Sequence, residues 1–305
     1  MAVNEIITAA RYNEMQSKLA LVLGNGSGDF GYGQALASSQ VTKNTSTVEA
    51  VHMDRLKTDV DKVYFHQNNV ATGITDVSIS DDITDAVYAE YINIIDNVYN
   101  NRFKYNVTQM TAPERGITSL RRTDWGGREP SAGASADMPQ TLVHEVEITF
   151  NSNDHFRHFF NSGGEIRMRA TLTGGSGAKY NDWKSMISSL NVLTLNYLNS
   201  TGSSGTSFAV GAFDLTNTYQ TLWTKAGSGV YDDNLITYSA RVVDNKLYVK
   251  IEYHDGDPKP GITPGTTGID ERVNGELNSI IEQQRATGQN VEVPTPTYRN
   301  LKTIG

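Results

Sequence analysis

One stretch constrains the chain more than any other. In EIRMRATL, residues 165 to 172, Ile166, Met168, Ala170 and Leu172 alternate with Glu165, Arg167, Arg169 and Thr171. Period-two alternation of this length is the signature of a strand with one face in a core. A slip of one residue would bury both arginines and expose four apolar groups, so the register is strongly specified. The preceding aromatic run, His155 to Phe160, reads as a partner strand. Asn161-Ser162-Gly163-Gly164 reads as the tight turn between them, because Asn and Gly adopt positive φ cheaply. The expectation is a hairpin at the centre of a β domain. Its outward Arg167 and Arg169 would form a docking stripe for acidic neighbours, such as further copies of this chain.

Other runs support an antiparallel β-sandwich of jelly-roll type over residues 139–257. His144, Val146, Ile148 and Phe150 alternate with Val143, Glu145, Glu147 and Thr149 and are expected to face inward. Short strands are predicted over 192–197, 209–215, 219–224, 235–241 and 247–253, the last after a turn at Asp244-Asn245. A short helix over 181–190 would bury Trp183, Met186, Ile187 and Leu190.

Residues 1–112 read as helical and suited to assembly or attachment. Thr8 is an N-cap for a helix that Gly24 stops, with Tyr12, Met15, Leu19, Val22 and Leu23 at helical spacing. A second helix is expected over 48–68, with Val51, Leu56, Val60, Val63 and Tyr64 on one face. The openings of these two helices resemble each other, as a duplicated unit would. A third helix, capped at Ser80-Asp81-Asp82, carries Val87, Tyr88, Tyr91, Ile94, Ile95, Val98 and Tyr99 as an apolar stripe. Such narrow faces make a thin bundle that calls for a partner chain or the β domain. Residues 113–138, rich in Gly and Pro, read as a linker or long loop, with Arg115, Arg121, Arg122 and Arg128 around Trp125. Residues 258–305 read as an extended C-terminal arm with a short helix over 270–285. The fold expected is thus α+β: a helical region, then the sandwich, then the arm.

The net charge of −8 argues against a nucleic-acid partner, and the absence of cysteine excludes structural disulfides and thiolate metal sites. The apolar runs are too short for a membrane span, and MAVNEIITAARYNEM lacks the basic and apolar regions of a secretory signal. Gly26, Gly28 and Gly31 form a GxGxxG, but it follows a helix rather than a strand, so a contact-making loop is the expectation. His155 and His158, three apart on a strand, would point to opposite faces and not chelate together. His52 lacks a second ligand at metal spacing. Asp232-Asp233 and Asp255/Asp257 could pair as acid and base, but sit in turns where carboxylates are solvated. The HDGD of residues 254–257 lacks the EF-hand spacing for calcium. GxSxG and HExxH do not occur. No catalytic, cofactor-binding or metal residue is therefore assigned, and no enzyme activity is expected.

Two stretches, ITAARYNEMQSKLALVLGNGSGDFGYGQAL and FFNSGGEIRMRATLTGG, resemble virion structural proteins of contractile-tailed phages that infect marine cyanobacteria. The resemblance covers about the first 70 residues and residues 140–200, and it carries no catalytic motif. It implies a place in the virion, assembled in the host cytoplasm, in tail, baseplate, fibre or neck. The partners implied are other copies of the chain and other virion proteins. The competing expectation is a carbohydrate-binding module reading a host surface glycan, with Trp125, Trp183, Trp223 and the tyrosines as stacking platforms. Buried tryptophans would remove that platform.

Overall fold

The computed structural model describes residues 7–42, 47–79, 81, 83–126, 139–256 and 272–305. The chain is α+β, with a helical N-terminal region and two antiparallel sheets in a sandwich-like arrangement. It divides into two compact units, each built from three separate segments. The helical unit takes Met1–Ala112, Ser152–Gly164 and Arg285–Thr295, and the sandwich takes Pro113–Asn151, Glu165–Gln284 and Pro296–Gly305.

In the helical unit, α1 (Ala9–Leu23), α2 (Ala50–Asn68) and α3 (Asp85–Asn100) pack together. Thr8 caps α1 by accepting a hydrogen bond from the Arg11 amide at 3.3 Å. Tyr12, Met15, Leu19, Val22 and Leu23 are all fully buried, and each apolar side chain of that size contributes roughly 1.5–3 kcal/mol. The buried face of α2 is rotated from the expected one. Val51 is 44% exposed while Met53, Leu56, Val60 and Val63 are buried, because the rotation also takes Asp59, His66 and Gln67 inside with polar partners. The N-cap of α3 is Thr84, which accepts from the Val87 amide. Of the cap expected there, Asp81 instead holds the Ser78 amide at 2.7 Å, and Ser80 and Asp82 lie outside the described residues.

The predicted hairpin does not form. Asn153–Asn161 is a helix, α4. Ser152 caps it at the His155 amide, 3.0 Å away, and Asp154 sits in its first turn, where the helix dipole favours a carboxylate. Phe156, Phe159 and Phe160 fall at helical spacing and stack on one another, so the aromatic run serves a helix face instead of a pleat.

The sandwich has a five-stranded sheet ordered β1-β10-β3-β4-β5 and a six-stranded sheet ordered β11-β2-β9-β8-β7-β6. The first contains β1 (Glu114–Arg121), β3 (Glu165–Thr173), β4 (Val192–Leu195), β5 (Ser200–Thr201) and β10 (Glu276–Gln284). The second contains β2 (Thr141–Thr149), β6 (Thr206–Ser207), β7 (Gln220–Ala226), β8 (Leu235–Val243), β9 (Lys246–His254) and β11 (Thr297–Lys302). Helix α5 (Ala178–Leu190) packs on β3 and β7. As the alternation requires, Ile166, Met168 and Leu172 are buried and Arg167 and Arg169 lie on the other face of β3.

Three segments differ from the sequence expectation. Residues 113–138 are no mere linker, since β1 pairs along β10; residues 127–138, with Arg128, lie outside the described residues. Residues 209–215 carry a short helical turn instead of a strand. The helix expected over 270–285 is β10, seated between β1 and β3. Leu277, Ile280 and Ile281 have helical spacing and do not alternate; in the strand Leu277 and Ile281 take one face and Ile280 the other, and two neighbouring strands decide the matter by tertiary pairing.

Candidate functional site

Four constellations carry the chain's polar chemistry. The first is the glycine loop of the helical unit. Gly26, Gly28 and Gly31 all have positive φ, but the loop follows α1 and no helix follows it. It presents carbonyls where a phosphate cradle would present N–H groups. Asn25 O accepts from the Arg157 guanidinium at 2.5 Å and from His158 Nε2 at 2.9 Å, and Gly31 O accepts from Asn161 at 3.2 Å. A Cβ on Gly33 would run into the His158 ring. The loop is thus a seat for α4. On that helix His155 and His158 share a side, contrary to the strand expectation, yet they serve separate carbonyls. His155 Nε2 lies 2.8 Å from Pro294 O. Burial lowers the pKa of both rings. His52 is likewise occupied locally, with its Nδ1 accepting from the Glu49 amide at 3.0 Å.

The second constellation crosses the sandwich interior. His144 Nδ1 lies 2.9 Å from Ser279 Oγ, and His144 Nε2 lies 2.9 Å from Asn300 Oδ1. The Tyr253 hydroxyl donates to Ser279 at 2.9 Å. Serine, histidine and asparagine are the right types for nucleophilic catalysis, but His144 and Ser279 are fully buried. Burial pushes the His144 pKa down, with the Asn300 contact opposing it. The network joins β2, β9 and β11 of one sheet to β10 of the other, so its role is cohesive.

The third lies on the outer face of the six-stranded sheet. Glu147 receives Lys246 and the Tyr248 hydroxyl, each at 3.1 Å, and Arg299 at 3.0 Å. Burial raises its pKa, but these donors and charges outweigh burial and hold the carboxyl below its ordinary value. The Arg241 guanidinium stands 4.3 Å over the Tyr248 ring and 5.0 Å over Tyr219, with Lys250 also 5.0 Å from Tyr219. These ring faces are covered by cations. Trp125, Trp183 and Trp223 are all buried, so the tryptophan platform that glycan stacking requires is absent. The expected arginine stripe is engaged within the sheet: Arg169 reaches Glu282 at 2.6 Å and Arg167 reaches Glu165 at 3.3 Å.

The fourth lies where α5 meets the end of the six-stranded sheet. Lys179 Nζ contacts Asp255 Oδ2 at 2.7 Å, with the side chains 4% and 2% exposed. Asp255 is thus no solvated turn carboxylate. It continues β9 one residue past His254, which pairs with Leu235 of β8. Continuing that ladder sets Asn234 opposite Asp255. A Cβ on Gly256 would strike the Asp233 carbonyl, as this continuation requires. On the other side of Asn234, its carbonyl accepts from the Gly227 amide at 2.8 Å. Asn234 is fully buried, and neither polar atom of its side chain has a hydrogen-bond partner among the described residues. Leaving such a group unsatisfied costs about 1–3 kcal/mol. Asp257 lies outside the described residues. Among those described, no group of three or more His, Asp or Glu is placed to hold a metal ion, and no helix is long and apolar enough to cross a membrane.

None of the fourth constellation was legible as a unit, because Lys179, Asn234 and Asp255 come from three elements far apart in the chain. The signal within reach was a lysine on the apolar stripe of a helix, four residues before Trp183. No family model, curated protein or solved structure matches the chain.

Proposed function

We propose that the chain is a non-enzymatic structural component of a phage virion, in tail, baseplate, fibre or neck, and that it assembles with copies of itself and with other virion proteins. Two lines support this reading. The first is the resemblance of residues 1–70 and 140–200 to virion structural proteins. The second, which carries it, is how the sandwich distributes its groups. The histidine and serine of its polar network are buried, while large apolar side chains stand in solvent along one edge. Leu198 is 60% exposed and Phe208 is 51% exposed. They flank the two edge strands β5 and β6, and Ser200 and Phe208 both bond the Leu222 carbonyl, at 3.1 Å each. Short edges with exposed apolar residues are surfaces that a neighbour covers.

Mass spectrometry of purified particles and native mass measurement of the isolated protein test the proposal. The expected results are the chain among the virion proteins and an oligomer that Leu198→Ser with Phe208→Ser weakens. A chain absent from particles and monomeric at all concentrations overturns it.

A further inference from the structure

We propose that Lys179 and Asn234 form an intramolecular isopeptide bond, with Asp255 as the proton acceptor that enables it. In the six-stranded sheet, β7, β8 and β9 are consecutive neighbours, and their continued ladders set Gly227, Asn234 and Asp255 in one row. The first turn of α5 lies over that row. Lys179 touches Asp255 at one end, and at the other a Cβ on Gly227 would meet Asp182 Oδ2 at 2.7 Å. Asn234, the middle member, therefore lies under the span from Lys179 to Asp182.

The chemistry follows from the residue types and their surroundings. In water an ammonium does not attack an amide, because it carries its proton and both groups are solvated. Here the Lys179 and Asp255 side chains are almost fully buried, Asn234 is fully buried with no partner for either polar atom among the described residues, and Trp125 and Trp183 stack edge to face at 4.6 Å beside the site. Trp183 lies one turn along α5 from Lys179, and a Cβ on Gly126, next to Trp125, would strike the Asp255 carboxylate. Burial makes two charges costly to hold, so the step that frees the amine is transfer of one proton within the pair, which leaves two neutral groups. Holding the Lys179 amine on Asp255, whose row neighbour is Asn234, lowers the entropic cost of bringing amine and amide together.

The Lys179 ammonium gives one proton to Asp255. The free amine attacks Asn234 Cγ and forms the new C–N bond, and the bond from Cγ to Nδ2 breaks. The second amine proton goes to the leaving nitrogen, which departs as ammonia. Asp255 remains protonated and donates to the new amide carbonyl. No oxidant or cofactor is consumed.

The test is the intact mass of the full-length purified protein under denaturing conditions, followed by peptide mapping. The expected mass is lower than that of the sequence by one ammonia. The map should contain a branched peptide joining the Lys179 and Asn234 segments. Lys179→Arg and Asp255→Ala should each restore the full sequence mass. A wild-type chain at full mass, or an ammonia loss without the branched peptide, overturns the proposal, and neither result depends on a variant folding. Loss of one water with a Lys179–Asp255 branch also overturns it, since the acceptor would then be the carboxylate.

Discussion

In the sandwich, β8 and β9 pair residue by residue from Leu235–His254 to Val243–Lys246. In the helical unit, residues 31–36 and 38–42 belong to neither helix nor strand, and side chains meet much of this segment's backbone. Asp59 accepts from the Ala37 and Ser38 amides at 2.9 and 2.8 Å. Asn13 both donates to and accepts from Val41, each at 2.8 Å. Gln34 bonds the Glu292 backbone in the same two-way manner. The strands of the sandwich are thus held by backbone ladders, and this irregular segment of the helical unit by individual polar side chains. The first should be vulnerable to charge in its core, the second to loss of single polar groups and to acid.

The largest effect is expected in the sandwich. Met168→Asp places an unpaired carboxylate at a fully buried position and should cost about 4 kcal/mol or more, read as loss of the cooperative transition in chemical denaturation. Tolerance of this substitution would mean the buried face of β3 is the other one.

Acid comes next, and it should act mainly on the helical unit. His66 is buried there, its Nε2 is 3.1 Å from Ser162 O, and burial lowers its pKa from 6.5 to about 4. Because the folded value is depressed, the unfolded chain takes up the proton first as pH falls. Stability is therefore full above pH 6.5 and is lost progressively down to about pH 4, by about 3 kcal/mol. Burial also lowers the pKa of His155 and His158 in the same unit, but only that of His144 in the sandwich. Urea midpoints between pH 7 and pH 4.5 measure this, and His66→Gln should flatten the slope. A pH-independent midpoint in the wild type would break the comparison.

Asp59→Ala removes both acceptors for the Ala37 and Ser38 amides and should cost about 2–3 kcal/mol. Hydrogen exchange should show early loss of protection at those two amides. The smallest effect should come from Arg241→Ala. It uncovers the Tyr219 and Tyr248 rings on a solvent-facing sheet surface and should cost about 0.5–1 kcal/mol in thermal denaturation.

The elements that were legible were those whose local signal and tertiary setting agree. Thr8 and the spacing from Tyr12 to Leu23 identify α1, and the alternation in 143–150 and 247–253 identifies β2 and β9. The aromatic run at 155–160 misled, because bulky rings suit a pleat and a helix equally. Ser152 and Asp154 held the helix signal. β10 misled because Leu277, Ile280 and Ile281 have helical spacing, while the strand buries residues on both faces and so shows no alternation. The three-segment make-up of each unit left no trace in composition, since Ser152–Gly164 and Arg285–Thr295 look no different from their flanks. The candidate sites were illegible because their members meet only after folding.

That segmented make-up bears on how the chain is made. A ribosome releases Ala112 long before it reaches Arg285, yet the helical unit includes Arg285–Thr295. The Gln34–Glu292 contact spans 258 residues. The sandwich waits as well, since β11 pairs with β2 across 148 residues. Neither unit can be completed before these late segments have been made, so the emerging chain passes through a long interval with both cores open. Contacts of such sequence separation make closure slow. Closure of each unit is then a late event, since it waits for Arg285–Thr295 in one and for β11 in the other.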